Sequence, residues 1–213
     1  MMVTVDSTDS QPLLGGRLCL DFVNTVDPRV GEERRDYLDS YAALIRWSVH
    51  ACALPSAQAA RLFVLEADHP EEAGSTLVFA RDVREALFGV LLAVIERRPA
   101  PTNDLSVVNR AIQASLGHSV LVQRPDATFA PEWSPSTHVE RPLWPVACSA
   151  ADLLGDHQAL TRVRICGGTL EASCGWVFYD QTKNASRRWC RMETCGTRAK
   201  TRRYRKRRLS MNG

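Results

Sequence analysis

The chain lacks a long apolar run. Among its 213 residues, no hydrophobic stretch approaches the roughly 20 residues that cross a bilayer as a helix. The first residues, 1–12, are polar and acidic and have no apolar centre of the kind that marks a secretory signal. We therefore expect a disordered lead-in over residues 1–12, no membrane partner, and a soluble, cytoplasmic protein.

The motifs that mark common enzyme classes are missing as well. There is no phosphate-cradling glycine loop, no serine nucleophile elbow and no paired-histidine metal motif. The 5 histidines share no ligand spacing, and Gly15-Gly16 alone is too weak to indicate a nucleotide site. We therefore expect no catalytic activity. A pocket for a small-molecule effector stays open, because it needs only a cavity with a few polar groups.

Charge is present in quantity but is divided unevenly. Residues 160–213 hold 14 Lys and Arg against 3 Asp and Glu, a net charge of +11, whereas residues 1–159 hold 13 against 21, a net charge of −8. A basic end on an acidic body indicates a polyanionic partner for that end, and the body itself should repel nucleic acid. The length fits one ordinary domain and a small module. We place a helix-rich domain at 13–160, the module at 161–208 and a tail at 209–213.

Four of the 7 cysteines form two pairs, Cys166 with Cys174 and Cys190 with Cys195. Two thiol pairs joined by a short excursion suit the tetrahedral coordination of Zn²⁺. The segment has too few large apolar residues to fold alone, so a metal would supply much of its folding free energy. Disulfides, which need an oxidising compartment, and plain buried thiols are the alternatives. We predict a closed, structural zinc site in a zinc-ribbon-like module.

Apolar periodicity predicts that helices dominate the first domain. The predicted helices are 40–53 with Asp39 as N-cap, 56–67, 71–98, 102–117 and about 143–154, with a hairpin of strands 119–123 and 127–130 before the last. Leu18, Leu20 and Phe22 alternate, which suggests a short strand, although a helix that begins at Asp21 fits equally. The predicted fold class is α+β: a helix-dominated N-terminal domain with a small β-hairpin, then a small zinc-ribbon-like C-terminal module with a basic helix.

A basic arm follows the fourth cysteine. A helix can run from Thr197, whose hydroxyl is a candidate cap, to Arg208. Like charges at helical spacing repel each other, so the arm should order fully only on a polyanion. Arginine outnumbers lysine, which favours bidentate pairing with phosphate or guanine. The predicted nucleic-acid contacts are Arg187, Arg188, Arg191, Arg198, Lys200, Arg202, Arg203 and Arg205.

Aromatic residues divide between the module and the arm. Trp176, Phe178, Tyr179 and Trp189 are expected to form the small core of the module rather than stacking platforms. Tyr204, which lies in the arm, is the better candidate for stacking on a base.

The segment 187–200 reads RRWCRMETCGTRAK and resembles the CGNR zinc finger of bacterial proteins, whose motif is R-R-W-C-x-M-x-x-C-G-N-R-A-K. Two departures are Thr197 in place of the family asparagine and a first cysteine spacing, C-x7-C, longer than expected for the family. The resemblance implies zinc as cofactor. We call residues 161–208 the finger.

The run LCLDFVNT at 18–25 resembles the opening of the ABATE domain, which commonly precedes a CGNR finger. Both motifs in this order extend the resemblance over nearly all of the chain. It implies a stress-induced transcription regulator of bacteria. We call residues 13–160 the body.

A weaker site is conceivable at Cys19, Asp21 and Asn24, where a thiol, a carboxylate and an amide lie close in sequence. A cysteine among leucines is more often a small buried apolar residue. Asp and Asn often bond nearby backbone at turns. The structural interpretation of the three is therefore favoured over a ligand site.

These observations favour a zinc-dependent regulator whose finger and arm bind DNA at the nucleoid and whose body senses a ligand or forms a homodimer. RNA is an alternative target, because zinc knuckles and arginine-rich arms also serve there. Two further alternatives are an enzyme or ligand-binding body with the finger as a docking module, and a finger that contacts another protein.

Overall fold

The computed structural model describes residues 11–30, 33–133, 138–167 and 174–211. Most of the predicted lead-in therefore lies outside the described residues, but Gln11 does not. Its side chain is buried, donates to the backbone carbonyl of Asp21 and accepts from the indole of Trp47. The packed chain therefore includes Gln11, which the sequence analysis had placed in the lead-in.

Helices dominate the described residues. The helices are α1 Leu18–Val23, α2 Tyr41–His50, α3 Ser56–Asp68, α4 Pro70–Ile95, α5 Thr102–Gly117, α6 Trp144–Gly155, α7 His157–Leu160 and α8 Thr197–Met211. The strands pair as three antiparallel two-stranded sheets: β1 Val26–Asp27 with β2 Arg35–Asp36, β3 Ser119–Gln123 with β4 Phe129–Trp133, and β5 Val163–Ile165 with β6 Val177–Tyr179. The predicted helix-rich α+β class is confirmed.

Helix α1 corrects the predicted strand at 18–22. The helix begins at Leu18, and its Cys19, Leu20, Phe22 and Val23 are all fully buried. A six-residue helix that is buried all around leaves no polar face, so its sequence has no 3.6-residue period to read. The predicted alternative, a helix from Asp21, had the right element but began it too late.

The other predicted helices of the body lie where they were expected, within a few residues at their ends. Helix α2 is capped by Ser40, whose hydroxyl oxygen accepts from the Ala43 N–H at 3.1 Å. The predicted cap, Asp39, instead accepts a hydrogen bond from that same Ser40 hydroxyl. Helix α4 begins with Pro70 and carries Glu71 and Glu72 in its first turn, both of which suit a helix N-terminus.

Helix α4 is the central element of the body. It is 26 residues long and contacts α1, α2, α3, α5 and β5. Its apolar face joins one hydrophobic core that extends beyond the body, because Val163 of β5 and Val177 of β6 belong to it. The first hairpin of the finger is thus packed against the body. No described helix is both long and apolar enough to cross a lipid bilayer.

The basic arm forms α8, which begins at the predicted Thr197 and continues to Met211. Thr197 is not its cap. A π-helical turn, Met192–Gly196, runs straight into α8, and the Thr197 hydroxyl donates back to the Met192 carbonyl at 3.4 Å. The helix therefore starts from the second cysteine pair, and the turn that contains Cys195 sets its direction.

Candidate metal centre and nucleic-acid interface

The four predicted cysteine ligands converge on one point. The Sγ atoms of Cys166, Cys174, Cys190 and Cys195 all lie within 4.8 Å of one another. The Sγ of Cys190 is 3.5 Å from that of Cys174, and the Sγ of Cys195 is 3.7 Å from both. None of the seven cysteines of the chain forms a disulfide, so the structure does not contain the alternative disulfides.

These distances fit a zinc ion. With Zn–S bonds of about 2.3 Å, a regular tetrahedron places its sulfurs about 3.8 Å apart. The donors are thiols alone, which suits zinc and disfavours Mg²⁺ or Ca²⁺, since those cations take oxygen ligands. Four protein ligands leave no open position for water or substrate. The arrangement is that of a structural metal site.

Local backbone contacts hold the cysteines in place. The N–H of Cys166 donates to the Trp176 carbonyl at 2.8 Å, which closes the β5–β6 hairpin, and the N–H of Cys190 donates to the Cys166 sulfur at 3.3 Å. Gly196 allows close packing at the turn, because an added Cβ would overlap the Met192 sulfur and lie 3.3 Å from Cδ1 of Trp189. The Met192 side chain is flexible and exposed and could move aside, so the glycine favours this packing without being indispensable to it.

The thiols perturb one another's protonation. Contact with Cys166 is the largest cause that raises the pKa of Cys174 and of Cys190, and burial adds to both. Hydrogen bonds from the same neighbours, Cys166 first, lower the pKa of Cys195. On its own the cluster thus disfavours ionisation of Cys174 and Cys190. Four thiolates need the charge of a bound cation.

Asn24 fastens the finger to the body. It is fully buried at the end of α1, its Nδ2 donates to the Val177 carbonyl at 2.8 Å, and its Oδ1 accepts from the Val177 N–H at 2.9 Å. The indole of Trp176 donates to the Val26 carbonyl at 3.0 Å. Asn24 therefore acts as an added strand partner for β6.

Two backbone bonds extend this junction. The Arg29 N–H donates to the Cys174 carbonyl, and the Tyr179 N–H donates to the Gly15 carbonyl, both at 2.7 Å. The junction thus reaches a residue that itself belongs to the metal cluster. Formation of the metal site and packing of the body should consequently support each other.

Replacing Asn24 by alanine should lower the free energy of unfolding by about 3 kcal/mol, because it leaves the Val177 N–H and carbonyl buried and unpaired. Urea unfolding of the metal-loaded protein measures the loss. Asn109→Ala, an exposed position on α5, serves as the matched control and should change it by less than about 0.5 kcal/mol. A loss below about 1 kcal/mol for the Asn24 variant would mean that water replaces the amide.

Arg187, one of the predicted nucleic-acid contacts, is half-buried and makes structural contacts within the finger. Its guanidinium donates to the carbonyls of Trp189 and Cys190 and lies 4.5 Å from the ring centre of Phe178. The backbone N–H of Arg187 donates at 2.8 Å to the carboxylate of Asp180. Asp180 is fully buried and also accepts from the backbone N–H and the hydroxyl of Thr182. Sequence analysis did not single out Asp180, because no local pattern connects it with Arg187, seven residues later.

The other predicted contacts lie at the surface of the finger and arm. Arg191 also approaches Glu193 at 3.7 Å, a weak exposed ion pair. A cleft of about 660 Å³ opens beside these residues and is lined by Leu14, Trp189 and Met192 among others. The residues that are exposed are Arg188, Arg191, Arg198, Lys200, Arg202, Arg203 and Arg205.

The aromatic residues take largely the predicted places. Trp176 and Phe178 are buried with the cysteines, and Trp189 packs against them while half-buried. Tyr179 differs, because it packs against the core of the body. Tyr204 on α8 is 62% exposed, so its ring is accessible for stacking.

The weaker site at Cys19, Asp21 and Asn24 does not form as a cluster facing a ligand. Cys19 is fully buried, and burial raises the pKa of its thiol to about 11. Asp21 accepts from the Gly15 N–H at 2.7 Å, and Asn24 binds β6. An added Cβ on Gly15 would lie 2.7 Å from the Asp21 nitrogen, so the backbone approaches closely there. Each residue therefore has structural contacts.

Asp21 makes stability depend on pH. Burial raises its pKa from 3.8 to about 6, so the folded protein binds this proton more tightly than the unfolded chain does. The contribution of Asp21 to the free energy of unfolding is most favourable below pH 3.8, the pKa of Asp21 in the unfolded chain. It weakens as pH rises through about 6, by about 2 to 3 kcal/mol in total. Asp21→Asn should therefore gain that amount relative to the wild type between about pH 4 and pH 7.

Urea unfolding of both proteins at each pH measures this difference, and the comparison cancels the titration of the metal thiols. The matched control is Asp82→Asn, which changes an exposed carboxylate on α4. A constant difference between the Asp21 variant and the wild type across this range would contradict a raised pKa.

Two family models match the chain. The model described as "Putative stress-induced transcription regulator", ABATE, matches residues 16–157, and the CGNR zinc finger model matches residues 162–208. No curated protein matches the chain significantly. The two matches meet where the α7–β5 connection enters the finger, and the four-cysteine cluster lies within the second match. The chain therefore belongs to the ABATE family and carries a metal-binding CGNR zinc finger after its ABATE domain.

Proposed function

We propose that this protein is a zinc-dependent, DNA-binding transcription regulator of bacteria. The observation that carries the proposal is the junction of the thiol cluster with α8: the turn that holds Cys195 leads directly into a helix covered with exposed cations. A metal ion at the cluster would fix both the position and the direction of that helix.

The zinc ion would have a structural role. Cys166, Cys174, Cys190 and Cys195 would hold it as thiolates, and the ion would supply the folding free energy that the small core of the finger lacks. Arg187 and Asp180 would then keep the segment before the second cysteine pair in shape through their hydrogen bonds.

The exposed cations would bind the phosphate backbone. Arg188 and Arg191 lie on either side of Cys190, whereas Arg198, Lys200, Arg202, Arg203 and Arg205 belong to α8. A guanidinium can donate two parallel hydrogen bonds to one phosphate or to one guanine, so these residues could supply both affinity and base recognition. The acidic body would keep the remaining surface away from DNA.

The body would act as the regulatory part, by sensing a ligand or by dimerising, and the protein would work in the cytoplasm at the nucleoid. The two family descriptions name a transcription regulator and a zinc finger, which supports a regulatory role for the body.

Selection of genomic DNA fragments by the zinc-loaded protein tests the proposal, with Cys190→Ser run in parallel. We expect the native protein to enrich a limited set of fragments and the variant to enrich none. Competition with structured RNA identifies the class of nucleic acid. Stronger binding to the RNA would replace DNA with RNA as the target, and no binding to either would overturn the proposal.

A further inference from the structure

Arg141 places a positive charge inside the body without a negative partner among the described residues. Arg141, which begins the short 3-10 turn before α6, is only 6% exposed. Its Nε and Nη1 atoms have no hydrogen-bond acceptor in the part of the chain that the structure describes. The two other arginines that are buried among the described residues have ion-pair partners, because Arg29 pairs with Glu85 and Arg84 pairs with Asp36, both at 2.6 Å, although the Nε of Arg29 also has no acceptor there. Burial accordingly lowers the pKa of Arg141.

A second donor without an acceptor lies beside it. Trp144 is 2% exposed, and its indole N–H also has no acceptor within the described residues. By contrast, the indoles of Trp133 and Trp176 donate to backbone carbonyls. The guanidinium carbon of Arg141 is 5.1 Å from the ring centre of Trp133 and 5.5 Å from that of Trp144. Buried donors in excess of acceptors are uncommon in protein interiors and call for a missing acceptor.

Two exposed histidines cover this place. The ring of His118 stacks on Trp144 with centres 4.3 Å apart and planes 13° apart, and His138 contacts His118 edge-on at 4.6 Å. Among the described residues, the rings that lie over Trp144 thus belong to surface side chains. Because α6 starts at Trp144 and is 12 residues long, its N-terminal end adds a positive dipole at the same point.

We infer that these five residues, the Arg141 cluster (His118, Trp133, His138, Arg141 and Trp144), bind a small oxyanion such as the carboxylate of a metabolite. The cluster contains donors and a cation but no carboxylate, so it is complementary to an anion and would repel a metal ion. The guanidinium and the Trp144 indole would donate to the ligand once His118 and His138 swing aside. A polymeric anion is too large for a site under two side chains.

This inference gives the sensing role proposed for the body a location and a ligand class. It can fail while the DNA-binding proposal stands, because its test uses metal-loaded protein without nucleic acid. The indole N–H signals in ¹H–¹⁵N NMR spectra report directly on the site. Sodium acetate and sodium phosphate are titrated separately against sodium chloride at constant ionic strength.

We expect the Trp144 indole signal, identified by its loss in Trp144→Phe, to move saturably with acetate or phosphate. The Trp176 indole signal should stay in place, because that N–H already donates to Val26. The stronger of the two anions shows whether carboxylate or phosphate is preferred. No movement with either anion, or an equal saturable movement with chloride, would overturn the inference.

Arg141→Met separates binding from folding, because methionine fills similar space without charge. We expect at least about tenfold weaker anion binding, since a charge-assisted hydrogen bond is lost. The melting temperature without anion should not fall, because an unpaired buried charge is removed. Arg110→Met is the matched control, because Arg110 is exposed on α5, where its guanidinium lies over the ring of Phe79. This variant should bind the anion as the wild type does.

Two results would show that Arg141 has a structural role instead. One is a clear loss of thermal stability in Arg141→Met with anion titrations unchanged from the wild type. The other is a long-lived water molecule detected on the Trp144 N–H of the wild type at all anion concentrations, which would supply the missing acceptor by itself.

Discussion

Replacing Cys190 by serine should release the metal and unfold the finger. The Cys190 sulfur lies 3.5 Å from that of Cys174 and 3.7 Å from that of Cys195, at the centre of the cluster. A serine hydroxyl does not ionise to replace the thiolate. Structural zinc contributes about 10–16 kcal/mol in small finger peptides, which is as large as the whole stability of an ordinary domain. Elemental analysis should find about one zinc per native chain and almost none in the variant.

The effect should extend into the body, because Val163 and Val177 of the finger belong to the core of the body. We therefore expect the variant to lose roughly as much body stability as Asn24→Ala does, about 3 kcal/mol. Cys52→Ser, which changes an exposed thiol outside the cluster, is the matched control and should keep its zinc and its unfolding midpoint. A Cys190 variant that retains zinc and native stability would show that the cluster is not the metal site.

Helices α2 to α6 of the body could be predicted because each carries a local signal. Helix α3 follows Pro55, and α4 begins at Pro70, so proline sets the start of each. Their apolar positions then repeat along one face. Such signals depend only on residues within a few turns of each other, and the structure agrees with them to within a few residues at the helix ends.

Contacts between distant segments could not be predicted in this way. Asn24 binds Val177, which is 153 residues away, and nothing near Asn24 in sequence indicates that partner. The short buried helix α1 was ambiguous for a related reason, since tertiary packing rather than amphipathic period determines its form. The predicted boundary at residue 160 likewise follows the sequence and not the packing, because Val163, beyond it, belongs to the hydrophobic core of the body.

The candidate site shows the same division. Ligand spacing was enough to predict that the four cysteines meet, because thiol pairs on turns have few other arrangements. Charge composition predicted a cationic end of the chain but could not show which arginines bond within the finger and which are exposed. Arg187 and Arg188 are adjacent and identical in type, yet the first bonds carbonyls inside the finger and the second is exposed. Only the fold of the turn separates a structural arginine from a surface one.

Binding to duplex DNA should weaken about a thousandfold when salt is raised from about 50 to about 200 mM, if about six phosphates are contacted. Seven predicted contacts, from Arg188 to Arg205, are exposed, which makes that number reachable. Each phosphate contact releases condensed counterions, so the affinity falls with the logarithm of the salt concentration. Fluorescence anisotropy of a labelled duplex across a salt series measures the slope. A flat dependence would rule out phosphate contact as the source of affinity.

A triple variant assigns that slope to the arm. Changing Arg202, Arg203 and Arg205 to alanine should reduce the salt slope by about three, because each lost phosphate contact removes about 0.9. Alanine is a better helix former than arginine, so weaker binding could not be attributed to loss of α8.

The matched control changes three exposed body arginines, Arg61, Arg110 and Arg124, and so alters the net charge equally. If the charge of the whole molecule drives binding, both triple variants should weaken it alike. If α8 makes the contacts, only the arm variant should lose slope. Undiminished affinity in the arm variant, with zinc still bound, would instead favour a finger that contacts another protein. We expect the body variant to bind DNA as the wild type does. Residues 1–159 carry a net charge of −8, so the body already repels DNA and its arginines should contribute little to binding.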